Sequence, residues 1–495
     1  MKKTVKILSL VLIFVLSTSS FLMSCTKRSG DYIAPVTETV NYVIKAEIKD
    51  GCLWVTYSND PSNPVNIGSL SNEEKKDNDN SSGLSFMLVS NGTYGVSAGD
   101  AKYLEEITIP DTYNGKPVTS ILDNAFEGAS NLKKISVPNT ITNVGIDAFK
   151  DCDKLEFNEY DNALYLGNAT TPNLILVKAK SSNITKCKVH EKAVVICDNA
   201  FKGCSDISNV TVSSNVKYIG AYAFKGCSSL LETNIPAGVA YINAETFSGC
   251  SKLKKIEIPS TVTTIGLSAF SNCTALAEVT FAKDSTLTTI ENSAFFACKK
   301  LKSITLPKSL MQIGNTKAGI AKDGAFSSCS ALETVAFEAG SRLNLLGNFA
   351  FNSCTKLANI VLPDSLTQIG ASAFNSSGLT EIKIPAEVTA ISDKTFFNCE
   401  SLKTVTFGEA LSKIGTEAFA ACTSLNNVVI PASVTTISKA AFNSGCTALS
   451  SVTFKKTSGW VDAAKTELLP ESLFKDPASA AQTVKNAVYT NGFMQ

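Results

Sequence analysis

The chain has 495 residues, with 45 Lys and Arg against 44 Asp and Glu, one histidine and fifteen cysteines. The balanced charge excludes a strongly basic nucleic-acid-binding protein and an acidic solvating tail. A single histidine leaves little room for His-based catalysis or a multi-His metal site, and fifteen cysteines leave a disulfide framework or a metal site open until their spacing is known.

Residues 1–24 are predicted to be a secretory signal. Lys2 and Lys3 precede an apolar stretch at 7–16, which is shorter than the roughly 20 residues that a transmembrane helix needs. The segment ends in Leu22-Met23-Ser24-Cys25, which resembles the bacterial lipobox, whose cysteine is diacylated and becomes the new N-terminus. The sequence therefore predicts lipidation at Cys25, and ordinary cleavage beside an incidental cysteine is the alternative.

Export with a lipid anchor also fits the charge of the processed chain. Removal of Lys2, Lys3 and Lys6 takes the formal charge from +1 to −2, so electrostatics do not draw the protein to anionic lipid. Two or three acyl chains, at about 0.8 kcal/mol per buried CH₂, give a stable anchor. We expect a protein at the bacterial outer membrane or cell surface that contacts the membrane through this anchor alone.

The next two segments do not share the pattern of the rest of the chain. Residues 25–71 are predicted to be a tether with a small β module, because residues 40–57 alternate well enough for a hairpin. Residues 72–83 contain no residue with an apolar side chain and are predicted to be a flexible linker.

The remainder is dominated by a repeat, in which a small residue and a phenylalanine recur thirteen times, mostly every 23 residues. The unit at 250–270 has the pattern C-x-x-L-x-x-I-x-I-P-x-x-V-x-x-I-G-x-x-A-F. Alternation up to Pro259 predicts a strand that the proline ends, and a second short strand runs into Gly266, whose freedom of φ permits a turn. Such units cannot bury their apolar faces alone, so they stack into one core rather than forming the roughly three domains that length suggests.

This repeat resembles the leucine-rich repeat of BspA-like bacterial surface proteins, also called the Treponema pallidum type. I-P, I-G-x-x-A-F and C all occur in order, and the resemblance covers 84–454. It implies a mostly β, α/β-class repeat solenoid, a right-handed superhelix of about 13 coils of ~23 residues. It also identifies a hairpin insertion at about 157–190 and leaves 455–495 as a C-terminal cap, for which a ligand-binding appendix is the alternative.

The cysteines are explained mainly by the repeat. Eleven of them follow a repeat phenylalanine by three or four residues, the column where leucine-rich repeats place a buried Cys or Asn. Neither paired spacings nor Cys-x-x-Cys occur, so the sequence predicts a ladder of free thiols over disulfides between coils. Cys197 stands at the glycine position of its repeat, and Cys52 and Cys187 have no explanation at this level.

The sequence predicts no catalytic, cofactor or metal site. No nucleophile elbow, Walker motif, H-E-x-x-H or EF-hand loop occurs, and Val189-His190 resembles a turn element of the family. We therefore expect no enzyme activity and no cofactor.

Binding is expected from the outward position between the two strand hydrophobes. That row is mostly small and weakly polar, with no Arg and no aromatic anchor. The row consists of Thr108, Ser136, Thr211, Asn234, Glu257, Thr280, Thr305, Ala336, Val361, Lys383, Thr406, Val429 and Thr453. The candidate binding face is Thr211, Asn234, Glu257, Thr280, Thr305, Lys383 and Thr406.

The resemblance implies a surface adhesin, because family members are described as binding host extracellular-matrix or clotting proteins, or partner bacteria. We expect as partners proteins or glycans of host or neighbouring cells, and no nucleic acid. The alternative function is an accessory protein that binds glycans or nutrients at the surface. It requires an aromatic platform, for which Trp54 and Trp460 are the available tryptophans.

Overall fold

A computed structural model describes residues 83–89, 91–317, 323–443, 445–462 and 468–486, together with short strands within 43–69 and at 492–494. The chain divides into two units, 1–79 and 80–495. In the first unit three antiparallel strands form one sheet in chain order. These strands are Val43–Lys49, Cys52–Tyr57 and Asp60–Ser69. The predicted hairpin thus gains a third strand.

The second unit is a mostly β solenoid with two ladders of parallel strands. We call the strands that precede the proline column the proline strands, and buried and exposed residues alternate along them, as in Lys255–Ile258, where Glu257 faces outward between two buried isoleucines. They are Glu106–Thr108, Lys134–Ser136, Lys186–Lys188, Asn209–Thr211, Glu232–Thr233, Lys255–Ile258, Glu278–Phe281, Ser303–Leu306, Thr334–Phe337, Glu381–Lys383, Thr404–Thr406, Asn427–Ile430 and Ser451–Phe454.

The glycine strands, which precede the glycine column, form the second ladder and number fifteen. They are Tyr94–Ser97, Lys116–Ile121, Asn143–Val144, Ile175–Ala179, Val195–Ile196, Tyr218–Ile219, Tyr241–Ile242, Thr264–Ile265, Thr289–Ile290, Gln312–Ile313, Leu345–Leu346, Gln368–Ile369, Ala390–Ile391, Lys413–Ile414 and Thr436–Ser438. The solenoid therefore has about fifteen coils rather than the predicted thirteen.

The two additional coils lack the repeat phenylalanine that marks the other thirteen. In regular coils the backbone N–H of the repeat Phe donates to a carbonyl of the next coil, as Phe201 does to Ala223 at 2.7 Å. Ala98 donates in the same way to Ala125 at 2.8 Å, and Ala179 to Ala200 at 2.7 Å. Alanine therefore occupies the phenylalanine position in both coils.

The core is organised around stacked phenylalanine rings. Eleven rings from Phe201 to Phe442 stack in succession, with centroids 5.1–5.7 Å apart and planes within 14° of parallel. Phe126 and Phe149 form a separate stacked pair at 5.7 Å. The small side chain of Ala179 interrupts the column between these two stacks, and the buried core correspondingly falls into two clusters.

The predicted insertion is a hairpin that becomes one coil. Asn158–Tyr160 and Ala163–Leu166 pair antiparallel, and the second of them pairs with Ile175–Ala179. Ile175–Ala179 then runs parallel to Val195–Ile196, so it continues the glycine ladder. Because the insertion shares this ladder, it extends the solenoid and does not form a separate domain.

Both ends of the solenoid have covering elements. At the N-terminal end, Ser85–Leu88 pairs antiparallel with the first glycine strand, a 3-10 helix spans Gly99–Tyr103, and Thr112–Tyr113 pairs with Lys116–Ile121. At the other end, helices Ser472–Lys475 and Pro477–Asn486 follow the last proline strand. Val461–Asp462 and Gly492–Met494 extend the glycine ladder antiparallel.

Gly266 in the glycine column has a different cause from the one expected. Gly266 does not have a positive φ, so freedom of φ is not what its position requires. A Cβ atom there would lie 2.8 Å from the carbonyl oxygen of Ile242 in the preceding coil. Close approach of neighbouring coils therefore favours glycine at this position.

Candidate functional site

The outward row predicted from the sequence lies on one face of the solenoid, which we call the proline-strand face. Glu257 is in register with Thr280, and Lys383 with Thr406. All seven candidate residues are exposed. Coil stacking thus brings one candidate side chain per coil into line, at about 4.8 Å per step.

The candidates form two groups. Thr211, Asn234, Glu257, Thr280 and Thr305 occupy successive coils, whereas Lys383 and Thr406 lie farther along the solenoid. Ala336 and Val361 occupy the row between the groups, and the Val361 side chain is 79% exposed. Val429, farther along, is 48% exposed. The row therefore carries apolar side chains as well as small polar ones.

Each group borders a shallow depression. A depression of about 680 Å³ is lined by Thr211, Asn234, Glu257 and Thr280. A second, of about 340 Å³, is lined by Lys383 and Thr406 together with Val361. A third, of about 630 Å³, adjoins Ala336 and Val361.

The last two depressions coincide with a break in the proline ladder. Thr334–Phe337 pairs with the strand before it, and Glu381–Lys383 pairs with the strand after it. Residues 359–362 between them are not in a strand. Ile360 stays buried at this break, and residues 359–361 line both depressions, so the face is grooved and not uniformly flat.

Two features of this face were missed in the sequence. Lys188 extends the row, since it is in register with Thr211, but the hairpin insertion hides its repeat. A second exposed row lies two residues earlier in each strand, and period-2 alternation could have found it. This row carries most of the charge on the face, in Glu232, Lys255, Glu278 and Glu381.

The thirteen described cysteines are all free and buried, which confirms the predicted thiol ladder for its eleven members. Ten of them donate from Sγ to the carbonyl of the repeat Phe in the preceding coil, at 3.1–3.3 Å. Burial raises the pKa of Cys273 to about 12 and that of Cys399 to about 11. Because the thiolate is the reactive form, these cysteines are structural.

The structure also explains two of the remaining cysteines. Cys187 is the buried central residue of its proline strand and pairs with Val210, so it serves as a strand hydrophobe. Cys197 stands in the glycine column, as the sequence indicated, and is buried. The side chains of Cys25 and Cys52 lie outside the described residues.

His190 lies in a turn, as predicted. Its Nδ1 accepts a hydrogen bond from the backbone N–H of Lys192 at 3.1 Å, and its carbonyl accepts one from Ala193 at 3.0 Å. The Tyr160 ring packs edge-on against it, with centroids 4.7 Å apart. These contacts give the histidine a structural role.

Asp198 is the carboxylate with the most perturbed environment. Burial raises its pKa to about 6, although its Oδ1 accepts a hydrogen bond from the backbone N–H of Ala221 at 2.9 Å. The buried Oδ2 has no hydrogen-bond partner.

Within the described ranges, no three His, Cys, Asp or Glu side chains converge as a metal site would require.

Neither tryptophan forms an exposed platform for glycan binding among the described residues. Trp460 is 1% exposed, its Nε1 donates to the carbonyl of Lys456 at 3.0 Å, and its ring packs against Phe454 and Phe474. The side chain of Trp54 lies outside the described residues.

The described part of the chain holds no helix with the length and apolarity to cross a bilayer.

Comparison with known families gives one match over most of the chain. The family described as "BspA type Leucine rich repeat region (6 copies)" matches residues 99–169, 179–286, 280–399 and 319–450. No curated protein matches the chain significantly.

Several solved structures are similar. A leucine-rich repeat protein from Bacteroides ovatus is 26% identical over 75% of this chain and 87% of its own, with a TM-score of 0.43. A leucine-rich cell surface protein from Faecalibacterium prausnitzii is 26% identical over 76% of this chain and 94% of its own, with a TM-score of 0.35. The leucine-rich repeat protein of Treponema pallidum is 20% identical over 55% of this chain and 91% of its own, with a TM-score of 0.24.

Proposed function

Because the chain belongs to the BspA-type leucine-rich repeat family, we propose that it is a lipid-anchored adhesion protein of the bacterial cell surface. The family supplies a repeat scaffold for binding other proteins. In this proposal the ligand is a protein of the host matrix or of a neighbouring cell, and the proline-strand face binds it without catalysis.

The observation that carries the proposal is the aligned, exposed row of the proline-strand face. A repeat with one outward side chain per coil presents an extended surface suited to macromolecules rather than to a small substrate. Within that surface the grooves beside Glu257 and Val361 supply relief, and a protein interface gains its affinity where side chains fill such depressions.

The anchor at Cys25 belongs to the same proposal. A lipobox-like Leu22-Met23-Ser24-Cys25 after an apolar segment places acyl chains at the start of the processed protein. Residues 25–83 would then separate the solenoid from the membrane.

Display at the surface is tested with intact cells that produce the full chain. We expect fatty-acid labelling of the protein, loss of the label in Cys25→Ala, and digestion by protease added outside the cells. Protection from external protease until the envelope is opened would contradict the proposal. A cytoplasmic control protein verifies that the cells remain intact.

Binding is tested with the same cells on immobilised host-matrix and clotting proteins and on neighbouring bacteria. We expect adhesion above that of cells lacking the protein, and a return to that background with Cys25→Ala, which removes the residue proposed to carry the lipid. Equal adhesion with and without the protein on every surface would overturn the adhesive function, even where display is shown.

A further inference from the structure

The flank of the solenoid that leads into the proline strands carries a concentration of positive charge. The segment between the column cysteine and the strand holds three lysines in the coil that starts at Cys250 and three in the coil that starts at Cys298. We call these six residues the lysine patch: Lys252, Lys254, Lys255, Lys299, Lys300 and Lys302.

Coil stacking brings the two triplets together. The coil between them, which starts at Cys273, is held to the first by hydrogen bonds from Ala275 to Ser251 at 3.1 Å and from Ala277 to Lys254 at 2.9 Å. The Cys298 thiol donates to the carbonyl of Phe270, three residues before Cys273, at 3.3 Å. At about 4.8 Å per coil, equivalent lysines lie roughly 10 Å apart.

The lysines of the patch are exposed and available. Within the described residues, none of the six forms an ion pair, whereas the nearby Glu333 pairs with Lys356 at 3.7 Å. The intervening coil contributes Ala275, Ala277 and one carboxylate, Glu278, which is in register with Lys255. A positive surface of this size stands out in a chain whose total charge is balanced.

We propose that the lysine patch is a second binding surface, which adjoins the proline-strand face and shares Lys255 with it, for a linear sulfated polysaccharide. Lysine attracts anionic groups as a point charge and fixes no bidentate geometry, and the patch contains no arginine. Two triplets roughly 10 Å apart match a polymer with charges along its length better than a compact anion.

The composition of the patch favours a polysaccharide over the other polyanions. No aromatic side chain lies among the six lysines or in the intervening segment from Thr274 to Glu278, so bases of a nucleic acid find nothing to stack on. An anionic membrane would be held by apolar insertion beside the charge, and these segments present no exposed aromatic or aliphatic side chain larger than alanine.

The test compares two variants of the full chain that carry the same net charge. Lys252→Gln, Lys254→Gln, Lys299→Gln and Lys300→Gln are combined in one. The control combines Lys217→Gln, Lys308→Gln, Lys413→Gln and Lys439→Gln, which are exposed lysines outside the patch. Circular dichroism and unfolding in urea establish that both fold as the parent does.

Binding to heparin, used as the sulfated probe, is measured at low and at physiological salt. We expect the patch variant to weaken binding by about tenfold or more at low salt and to flatten its salt dependence, because fewer counterions are released. The control should bind as the parent does. Glu278→Lys should strengthen binding.

Equal weakening in the patch and control variants would overturn the proposal, because the attraction would then follow net charge alone. Binding to single-stranded DNA or to anionic vesicles as tight as to heparin, and lost in the same variant, would also overturn it by assigning the patch another ligand class. Adhesion through the proline-strand face is measured separately, so either proposal can fail alone.

Discussion

At the scale of single residues, tight stacking forces the backbone into left-handed turns. The residue before the column cysteine has a positive φ in coil after coil, with glycine at Gly203, Gly226 and Gly249 but alanine at Ala421, where φ is 60°. A side chain in this conformation costs roughly 1–2 kcal/mol relative to glycine. Several coils therefore carry a local strain that the repeat tolerates.

We predict that Ala421→Gly raises the free energy of unfolding by about 0.5–1 kcal/mol. Glycine removes the strain of the positive φ, and its greater conformational freedom in the unfolded chain offsets part of that gain. Ala277→Gly is the matched control. Ala277 is exposed and lacks a positive φ, so the same change should lower stability by a similar amount. Urea unfolding measures both, and destabilisation by Ala421→Gly would contradict the strain.

Asp198 gives a pH-dependent prediction. Its pKa is raised to about 6 in the folded protein, so burial favours the protonated form. This group therefore stabilises the fold below about pH 4, and the contribution is lost as the pH rises through 6. Asp198→Asn should be more stable than the parent at pH 7.5, by about 1–2 kcal/mol after allowance for its partial exposure.

Urea unfolding of the parent and Asp198→Asn at pH 4 and pH 7.5 measures this difference. The advantage of the variant should shrink toward pH 4, where the parent carboxyl is protonated. A difference that is the same at both pH values would show that ionisation of Asp198 does not govern its effect.

The thiol ladder makes a chemical prediction. The described cysteines are buried, and burial holds the pKa of a representative thiol such as Cys273 near 12. Ellman's reagent should therefore label these thiols negligibly in the folded protein. In denaturant without reductant it should reveal at least thirteen. Near-absence of free thiols in the unfolded, unreduced chain would contradict the ladder.

At the scale of elements, the stacked phenylalanines couple each coil to its neighbours. Phe270 is fully buried between Phe247 and Phe295, whereas Phe149 is half-buried and stacks on one ring. We predict that Phe270→Ala costs about 3–5 kcal/mol and Phe149→Ala clearly less, because the cavity in the central stack is closed on both sides. Equal losses in urea unfolding would show that stacking position is unimportant.

Much of this architecture could be predicted because the same residue pattern recurs in coil after coil. Pro259, Phe270 and Cys273 each belong to a column whose period fixes strand ends, core and thiol ladder. The predicted number of coils was too low because two coils lack the repeat phenylalanine. Ala98 and Ala179 replace it there, and only the hydrogen bonds to the next coil identify these coils. The position of Gly266 was predicted correctly but its cause was not, because contact with the preceding coil depends on the stacking distance, which no single repeat contains.

The candidate site was predictable in part. Outward positions such as Glu257 and Thr280 follow from alternation along the strand, and the structure aligns them. The break in the ladder beside Val361 could not be predicted, since its repeat has the same proline and hydrophobic pattern as its neighbours. The lysine patch likewise depends on two segments, 48 residues apart in sequence, that meet across one intervening coil.

At the scale of the whole molecule, the solenoid separates stability from binding. Phenylalanine, leucine and cysteine columns such as those through Phe270 and Cys273 face inward and hold the coils together. The outward rows lie outside that core, so one scaffold can present a strand face and a charged flank at the same time. This division supports a display function.

The most direct measurement of the central claim is adhesion by cells that display a variant of the proline-strand face. Asn234→Arg, Glu257→Arg and Thr280→Arg together place three long side chains over its first groove. Ser214→Arg, Glu291→Arg and Thr316→Arg form the control, with the same change of charge at exposed positions away from that groove. We predict that the face variant, displayed at the parental level, loses at least about tenfold in affinity for the bound surface while the control keeps it. Full adhesion by the face variant, or equal loss in both, would contradict binding through this face.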